Sequence, residues 1–445
     1  MNRLALEFGD RLAVMFTASI CIGVGLSYGQ IYLFHLLLPL IVVSLLTIYR
    51  QRFDFRQLKA PATLFFVFWF GWYLISSTWA PDARLAIKYA VFVLIGLTIV
   101  FFCLAWIRGE AELLLVKRIV LAVMLVEALI GLLEIYTGFR WPWSPYSELV
   151  GYFGREGTNL QALTPYQRDY ISAVPTGFHW NPNHFALFMA MLLPYALFAK
   201  RLLPGFMLAS VILLLVLFAG SRASLIGTGV GILGWLVLGG HSIWKRVFMA
   251  AALVAFSYAS YLYVPVPSGK VFNETRTRPK QDLVQLSGAV ERLVGEHESA
   301  GKEDSVNIRI RLMRSGFRAV RSTRGLGLGA GGHVRRLQQE GMMIHSLHNF
   351  WLELLVDGGV VLALSMGGWY IFVAWRLLRL GLSPPSAQAG YFARSLFVSL
   401  LVFFFASVSA SSVIYFLPMW LLFGVALACL SIYSPRTGQP LTMAS

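Results

Sequence analysis

Apolar residues run for about 17 to 25 positions at a time along nearly the whole chain, divided by short clusters of charge. A helix of that length crosses roughly 30 Å of hydrocarbon, where backbone N–H and C=O groups find no partner outside the helix. The pattern predicts an all-α polytopic membrane protein of about twelve transmembrane helices. They are expected near 11–28, 31–49, 62–79, 86–107, 119–137, 183–199, 205–220, 223–239, 247–264, 350–375, 395–413 and 415–433. The first run has no small-residue cleavage site before the second, so it reads as a retained helix and not as a signal peptide.

Every second connection carries the cations: Arg50, Arg52, Arg56 and Lys59; Arg108, Lys117 and Arg118; Lys200 and Arg201; Lys245 and Arg246; Arg376, Arg379 and Arg394. By the positive-inside rule these connections, and with them both termini, are expected on the cytoplasmic side. The expected organisation is residues 1–264 with nine helices and an outer loop at 138–182, a large, partly helical outer loop at 265–349, three helices in 350–433, and a cytoplasmic tail at 434–445. The chain is 57% hydrophobic and 13% charged, far below the usual quarter charged of soluble domains. Cys21, Cys103 and Cys429 all fall inside apolar runs, so neither disulfide nor thiolate–metal chemistry is expected.

The chemistry-bearing residues gather in the outer segments. Residues 305–339 hold Arg309, Arg311, Arg314, Arg318, Arg321, Arg324, Arg335 and Arg336 without one Asp or Glu, on the side where cations are unusual. If 307–323 is helical, Arg311, Arg314, Arg318 and Arg321 share one face and Leu312, Met313, Phe317 and Val320 lie away from it. Guanidinium forks fit phosphate oxygens, so this face suits a pyrophosphate head group; a helix resting on anionic lipid is the competing reading. Arg222 ends a long uncharged run, a costly place for a charge without a function or partner. The glycine-rich stretch 325–332 could bring backbone amides close to phosphate, but no Gly-Lys-Ser/Thr signature accompanies it, so a nucleotide loop is not supported.

His348 stands where the large loop meets the tenth span, with His345 and Asn349 beside it. Its imidazole suits removal of a proton from a sugar hydroxyl. His345 and His348 lack a third ligand at metal-like spacing, so no metal site is expected. Where Asn181-Pro182-Asn183-His184 opens the sixth span, Asn183 or the Asn181-Pro182 pair is a helix cap, with sugar binding as the other reading.

Taken together, Asn-Pro-Asn-His-Phe-Ala at 181–186, Gly-Ser-Arg-Ala-Ser at 220–224, the arginine-rich loop and His-Asn-Phe-Trp-Leu-Glu-Leu-Leu-Val-Asp-Gly-Gly at 348–359 resemble the O-antigen ligase and O-antigen polymerase superfamily. The motifs cover about residues 175–365 and the topology covers the whole chain. Gly359 meets a ligase pattern that Leu362 breaks, while the stretch 309–331 looks more like teichuronic-acid and exopolysaccharide polymerases. An Arg followed by Gly eleven positions later, at Arg140/Gly151 and Arg318/Gly329, is a further polymerase feature.

The resemblance implies an inverting glycosyltransferase of the bacterial inner membrane, without metal, nucleotide sugar or other cofactor. Its donor would be an undecaprenyl-pyrophosphate-linked glycan, and its acceptor a glycan or, for a ligase, lipid A-core. The family's catalytic His falls on His348 and its phosphate-binding arginines on Arg222 and on Arg309 or Arg311. Membrane lipids and other polysaccharide-assembly proteins are the expected partners, and nucleic acid is not. A transporter of lipid-linked sugar is the rival, with Glu127 and Glu134 on one helix face as its coupling carboxylates.

Overall fold

A computed structural model describes residues 3–49, 60–163, 165–266 and 305–433. Arg50, Arg52, Arg56 and Lys59, residues 267–304 of the large loop and the 434–445 tail lie outside the described residues. The long helices are α1 (Arg3–Ile22), α2 (Leu33–Thr47), α3 (Pro61–Ser76), α4 (Ala83–Trp106), α5 (Glu110–Thr137), α7 (Pro182–Leu197), α8 (Leu202–Ala219), α9 (Arg222–Leu238), α10 (Ile243–Tyr263), α13 (Phe350–Leu382), α14 (Ala387–Ala406) and α15 (Leu417–Tyr433). Each overlaps one expected span. Short helices α6 (Pro165–Ala173), α11 (Ser305–Ser322) and α12 (Gly332–Gln339) belong to the connecting segments, and a two-stranded antiparallel ribbon pairs Ser27–Tyr28 with Ile31–Tyr32.

Among the described residues, six helices are long and apolar enough to cross a membrane, and four more are shorter and apolar. Large apolar side chains point outward along them, among them Val237 (76% exposed), Phe248 (73%), Leu364 (71%) and Ile371 (71%). Water would penalise such a surface and lipid would not, which makes this an all-α polytopic membrane protein. Inside, α14 packs against α7, α9 and α13, and α15 against α4. α15 is buried along nearly its whole length, and Trp420 sits between Trp69 and Phe423.

Two departures from the expected spans shape the site. The span expected to reach residue 413 stops at Ala406; residues 407–412 form a non-helical serine-rich segment, with Ser412 in the left-handed region at φ 42°. Serine hydroxyls compete for backbone groups and favour turns over helix interiors. The second departure is a break in α13 at Gly359 (φ 72°, ψ −175°).

A break inside a membrane helix frees backbone groups that another segment must satisfy. Here the glycine-rich stretch does so: Leu328 N donates to Val356 O (2.7 Å), Gly329 N to Asp357 O (3.0 Å) and Val360 N to Gly325 O (2.8 Å). Gly358 O accepts from Trp72 Nε1 at 2.8 Å. Gly325, Gly327, Gly329 and Gly331 all have positive φ, which side-chain-bearing residues rarely adopt.

The segment between α5 and α7 is tied across the same end of the bundle. Trp141 Nε1 donates to Gly25 O (2.9 Å), Gly29 N to Phe153 O (2.7 Å), and Arg155 Nε to Gly29 O (2.7 Å). Glu134, buried on α5, accepts from Thr176 N (2.7 Å) and Gly177 N (2.9 Å), while Glu127 accepts from Phe178 N (3.3 Å). Both carboxylates therefore anchor residues 174–181 to the bundle.

Candidate active site

The end of the bundle that carries the two long segments also brings together residues far apart in sequence. His348 immediately precedes α13, whose N-cap is Asn349, accepting from Leu352 N at 3.2 Å. At φ 50° His348 occupies a left-handed conformation unusual for a residue with a side chain. The turn is held by a buried hydroxyl and carboxylate: His348 N donates to Ser346 Oγ (3.1 Å), Ser346 Oγ to Glu353 Oε1 (2.7 Å), and Leu347 N to the same oxygen (3.1 Å). Ser412 N also donates to Ser346 Oγ, at 3.2 Å, which ties the turn to the serine-rich segment.

Ser409 is the meeting point. Its hydroxyl donates to Asn183 Oδ1 at 3.0 Å, accepts from Arg309 Nη2 at 3.5 Å and lies 3.4 Å from Ser221 Oγ. Its backbone hydrogen-bonds the His348 ring. Ser221 caps the turn into α9, whose first residue is Arg222. Arg309 lies in the field of Arg222; burial first, then this like charge, lowers its pKa. His184 Nε2 meets Ser411 O at 2.8 Å, and its ring interacts electrostatically with His348.

Burial also lowers the pKa of His348 below 6.5; repulsion from Arg309 adds to this and the Ser409 backbone bond opposes it. The imidazole is therefore neutral near pH 7. Its Nδ1 has no protein hydrogen-bond partner among the described residues. The site thus holds the Arg222 and Arg309 guanidiniums, the imidazoles of His348 and His184, and several hydroxyl and amide groups. Among the described residues no carboxylate pairs with Arg222, Arg309 or His348. A neutral base beside uncompensated positive charge can take a proton and stabilise an anionic group.

The expected candidates divide clearly. Arg222, Arg309, His348 and Asn183 come together. Asn181, not Asn183, caps α7, accepting from Asn183 N at 2.8 Å, which leaves the Asn183 side chain to Ser409. Arg311 and Arg314 are exposed further along α11, His345 is exposed, and Asn349 serves as a helix cap.

The apolar face expected on the arginine helix also shifts. Leu312, Ser315, Gly316 and Ala319 are buried, whereas Met313 (40% exposed) and Phe317 (55%) point outward. The reason is docking onto α13, where Leu352 and Val356 need the small side of the helix, Gly316 included. Arg318 pairs with Glu340 at 3.3 Å and Arg336 with the same carboxylate at 2.9 Å, while Arg335 pairs with Asp82. Arg140 donates to Val174 O at 2.8 Å and lies 3.8 Å from Glu134, which makes it a brace of the outer segment.

The amides of the glycine-rich stretch are committed within the fold and not to an external phosphate: Leu328 and Gly329 donate to the carbonyls of Val356 and Asp357, Ala330 to Ser76 Oγ, and Gly331 to the Asp357 carboxylate. Gly331 N and His333 N donate to Asp357 (2.9 Å each), and His333 Nδ1 donates to Asp357 Oδ2 at 2.8 Å. Burial disfavours a charged His333, but Asp357 and Glu353 outweigh it and raise its pKa to about 9. Sequence reasoning missed this buried group, as it missed Ser409 and His184. The hydroxyl run Ser407, Ser409, Ser411 and Ser412 at the end of an apolar span was the available signal for the serine segment.

Residues 185–367 match the family described as O-antigen ligase. The chain is similar to the O-antigen ligase family over this region. The matched region contains Arg222, Arg309 and His348, and Asn183 and His184 immediately precede it. The chain is also similar to the teichuronic acid biosynthesis protein TuaE of Bacillus subtilis (strain 168), with 23% identity over 403 residues, 88% of this chain and 75% of that protein. The two comparisons support the O-antigen ligase and polymerase superfamily, a group of membrane proteins of polysaccharide biosynthesis. The matched region supplies both arginines and the imidazole from three separate elements: α9, α11 and the turn before α13.

Proposed function

We propose that the protein is a membrane glycosyltransferase that moves a glycan from an undecaprenyl-pyrophosphate donor to a hydroxyl acceptor, acting as a polysaccharide polymerase. The observation that carries this reading is the convergence of Arg222, Arg309 and His348 near Ser409, with no balancing carboxylate among the described residues. Arg222 and Arg309 hold the pyrophosphate. His348 takes the proton of the acceptor hydroxyl as its oxygen attacks the anomeric carbon. The bond from that carbon to the pyrophosphate oxygen breaks, the electron pair leaves with undecaprenyl pyrophosphate, and attack from the opposite face inverts the carbon. The arginines stabilise charge on the leaving group, the role of preorganised electrostatics in most such sites.

In this reading the chain lies in the bacterial inner membrane with both termini cytoplasmic and the Ser409 site facing outward. The test is product formation by detergent-purified protein supplied with a lipid-pyrophosphate glycan. Wild type lengthens the glycan, and His348→Ala lowers the rate by about a hundredfold or more at an unchanged thermal midpoint. Wild-type rates in His348→Ala would refute the assigned base. Without two compartments, product formation also excludes a role in transport alone. The family description of residues 185–367 favours a second reading, a single transfer to lipid A-core. Long chains accumulating on the lipid carrier in a deletion strain would select it over polymerisation.

A further inference from the structure

Behind the serine-rich segment lies a cavity of about 220 Å³ that the transfer chemistry leaves unused. Its walls include Tyr32, Arg155, Trp180, Asn181, His184 and Tyr415. His184 links it to the reaction centre, since the same ring meets Ser411 O and interacts with His348. Flat aromatic faces beside amide and imidazole groups suit a sugar ring, which presents C–H groups on its faces and hydroxyls around its edge.

Arg155 makes the cavity selective. Its guanidinium carbon lies 4.7 Å from the Trp180 ring and 5.5 Å from the Tyr32 ring, so two aromatic groups fix the fork. Its Nε is taken by Gly29 O at 2.7 Å, while among the described residues no side chain claims its two Nη groups. Among the described residues no Asp or Glu lines the cavity. A second cavity of about 340 Å³ shares Tyr32 and Tyr415 with the first, and its described lining has Lys88 and again no carboxylate. Paired Nη donors match the two oxygens of a carboxylate.

We propose that the cavity under Arg155 is a subsite for a carboxylate-bearing sugar, of the uronic-acid class, in the glycan being joined. This rests on the transferase reading for its biological meaning, but the site is tested by binding alone. Purified full-length protein is titrated with methyl β-glucuronide and methyl β-glucoside, followed by saturation-transfer difference NMR. The glucuronide binds about tenfold more tightly to wild type, Arg155→Gln reduces that preference below about threefold, and Trp180→Ala weakens both sugars while keeping their ratio.

Equal affinity of wild type for the two sugars, no binding of the glucuronide, or an undiminished preference in Arg155→Gln overturns the proposal. The wild-type preference decides alone if Arg155→Gln does not fold. Because no turnover is measured, failure here leaves the transfer reaction standing, and failure of transfer in His348→Ala assays leaves this binding untouched.

Discussion

Two polar clusters sit at the same end of the helix bundle, and they are built on opposite principles. Around Asp357 opposite charges face one another: His333 lies 2.8 Å from Asp357 and 3.7 Å from Glu353, and the amides of Gly331 and His333, a strap across the break in α13, donate to the Asp357 carboxylate. Around Ser409 the charges are left open, with Arg309 partly buried against Arg222 and no acid among the described residues to offset them. Burying charge is costly unless it is paired, so the first arrangement holds the fold together and the second spends stability to hold an anion.

The largest expected effect falls on the balanced cluster. Asp357→Ala leaves a buried imidazolium and two strap amides without their acceptor, and should destabilise the fold by about 3–5 kcal/mol. Denaturant or thermal midpoints in detergent measure it, and an unchanged midpoint would contradict the structural role. The open cluster should respond the other way. The double variant Arg222→Gln/Arg309→Gln should keep or raise the midpoint because a repulsive pair is gone, while transfer falls by about a hundredfold. A drop in stability equal to that of Asp357→Ala would erase the distinction between the clusters.

Most of the helical framework was legible because hydrocarbon imposes a simple length and polarity rule, and all twelve expected spans overlap helices. Arg222 and His348 stood out for the same reason, as ionisable groups at the edges of apolar runs. What the sequence concealed were pairings across long separations. The amides of 325–332 looked free because their distant acceptors, among them the Val356 carbonyl, Ser76 and the Asp357 carboxylate 26 positions beyond Gly331, were not recognisable. The arginine helix was assigned its apolar side as the face away from the arginines, whereas Gly316 and Ala319 dock because α13 leaves room only for small side chains. Ser409 was counted into a span, since a serine among phenylalanines carries little signal until its partners are known.

A smaller effect should come from the link between the clusters. Ser346 bonds Glu353 on one side and the backbone of His348 and Ser412 on the other. Ser346→Ala should lower kcat by about tenfold with KM nearly unchanged, because it loosens the position of the imidazole without touching the phosphate-binding arginines. An equal change in both constants would point to a general disturbance of the site.

The finest distinction is in pH. His348 is held below its ordinary value of 6.5 by burial and by Arg309, so a base at this position works above that lowered pKa and transfer is lost as pH falls through it. The acid limb of kcat/KM should therefore lie under pH 6.5, and Arg309→Gln should move it upward by removing a repelling charge. His333 behaves in the reverse sense: its pKa is raised to about 9, so the stability from its charged form is complete below about 6.5 and is lost as pH rises through about 9. Rate and stability should thus fail at opposite ends of the pH scale. Loss of both together on the acid side would mean that the two histidines share one environment, and the division between a closed structural cluster and an open catalytic one would not hold.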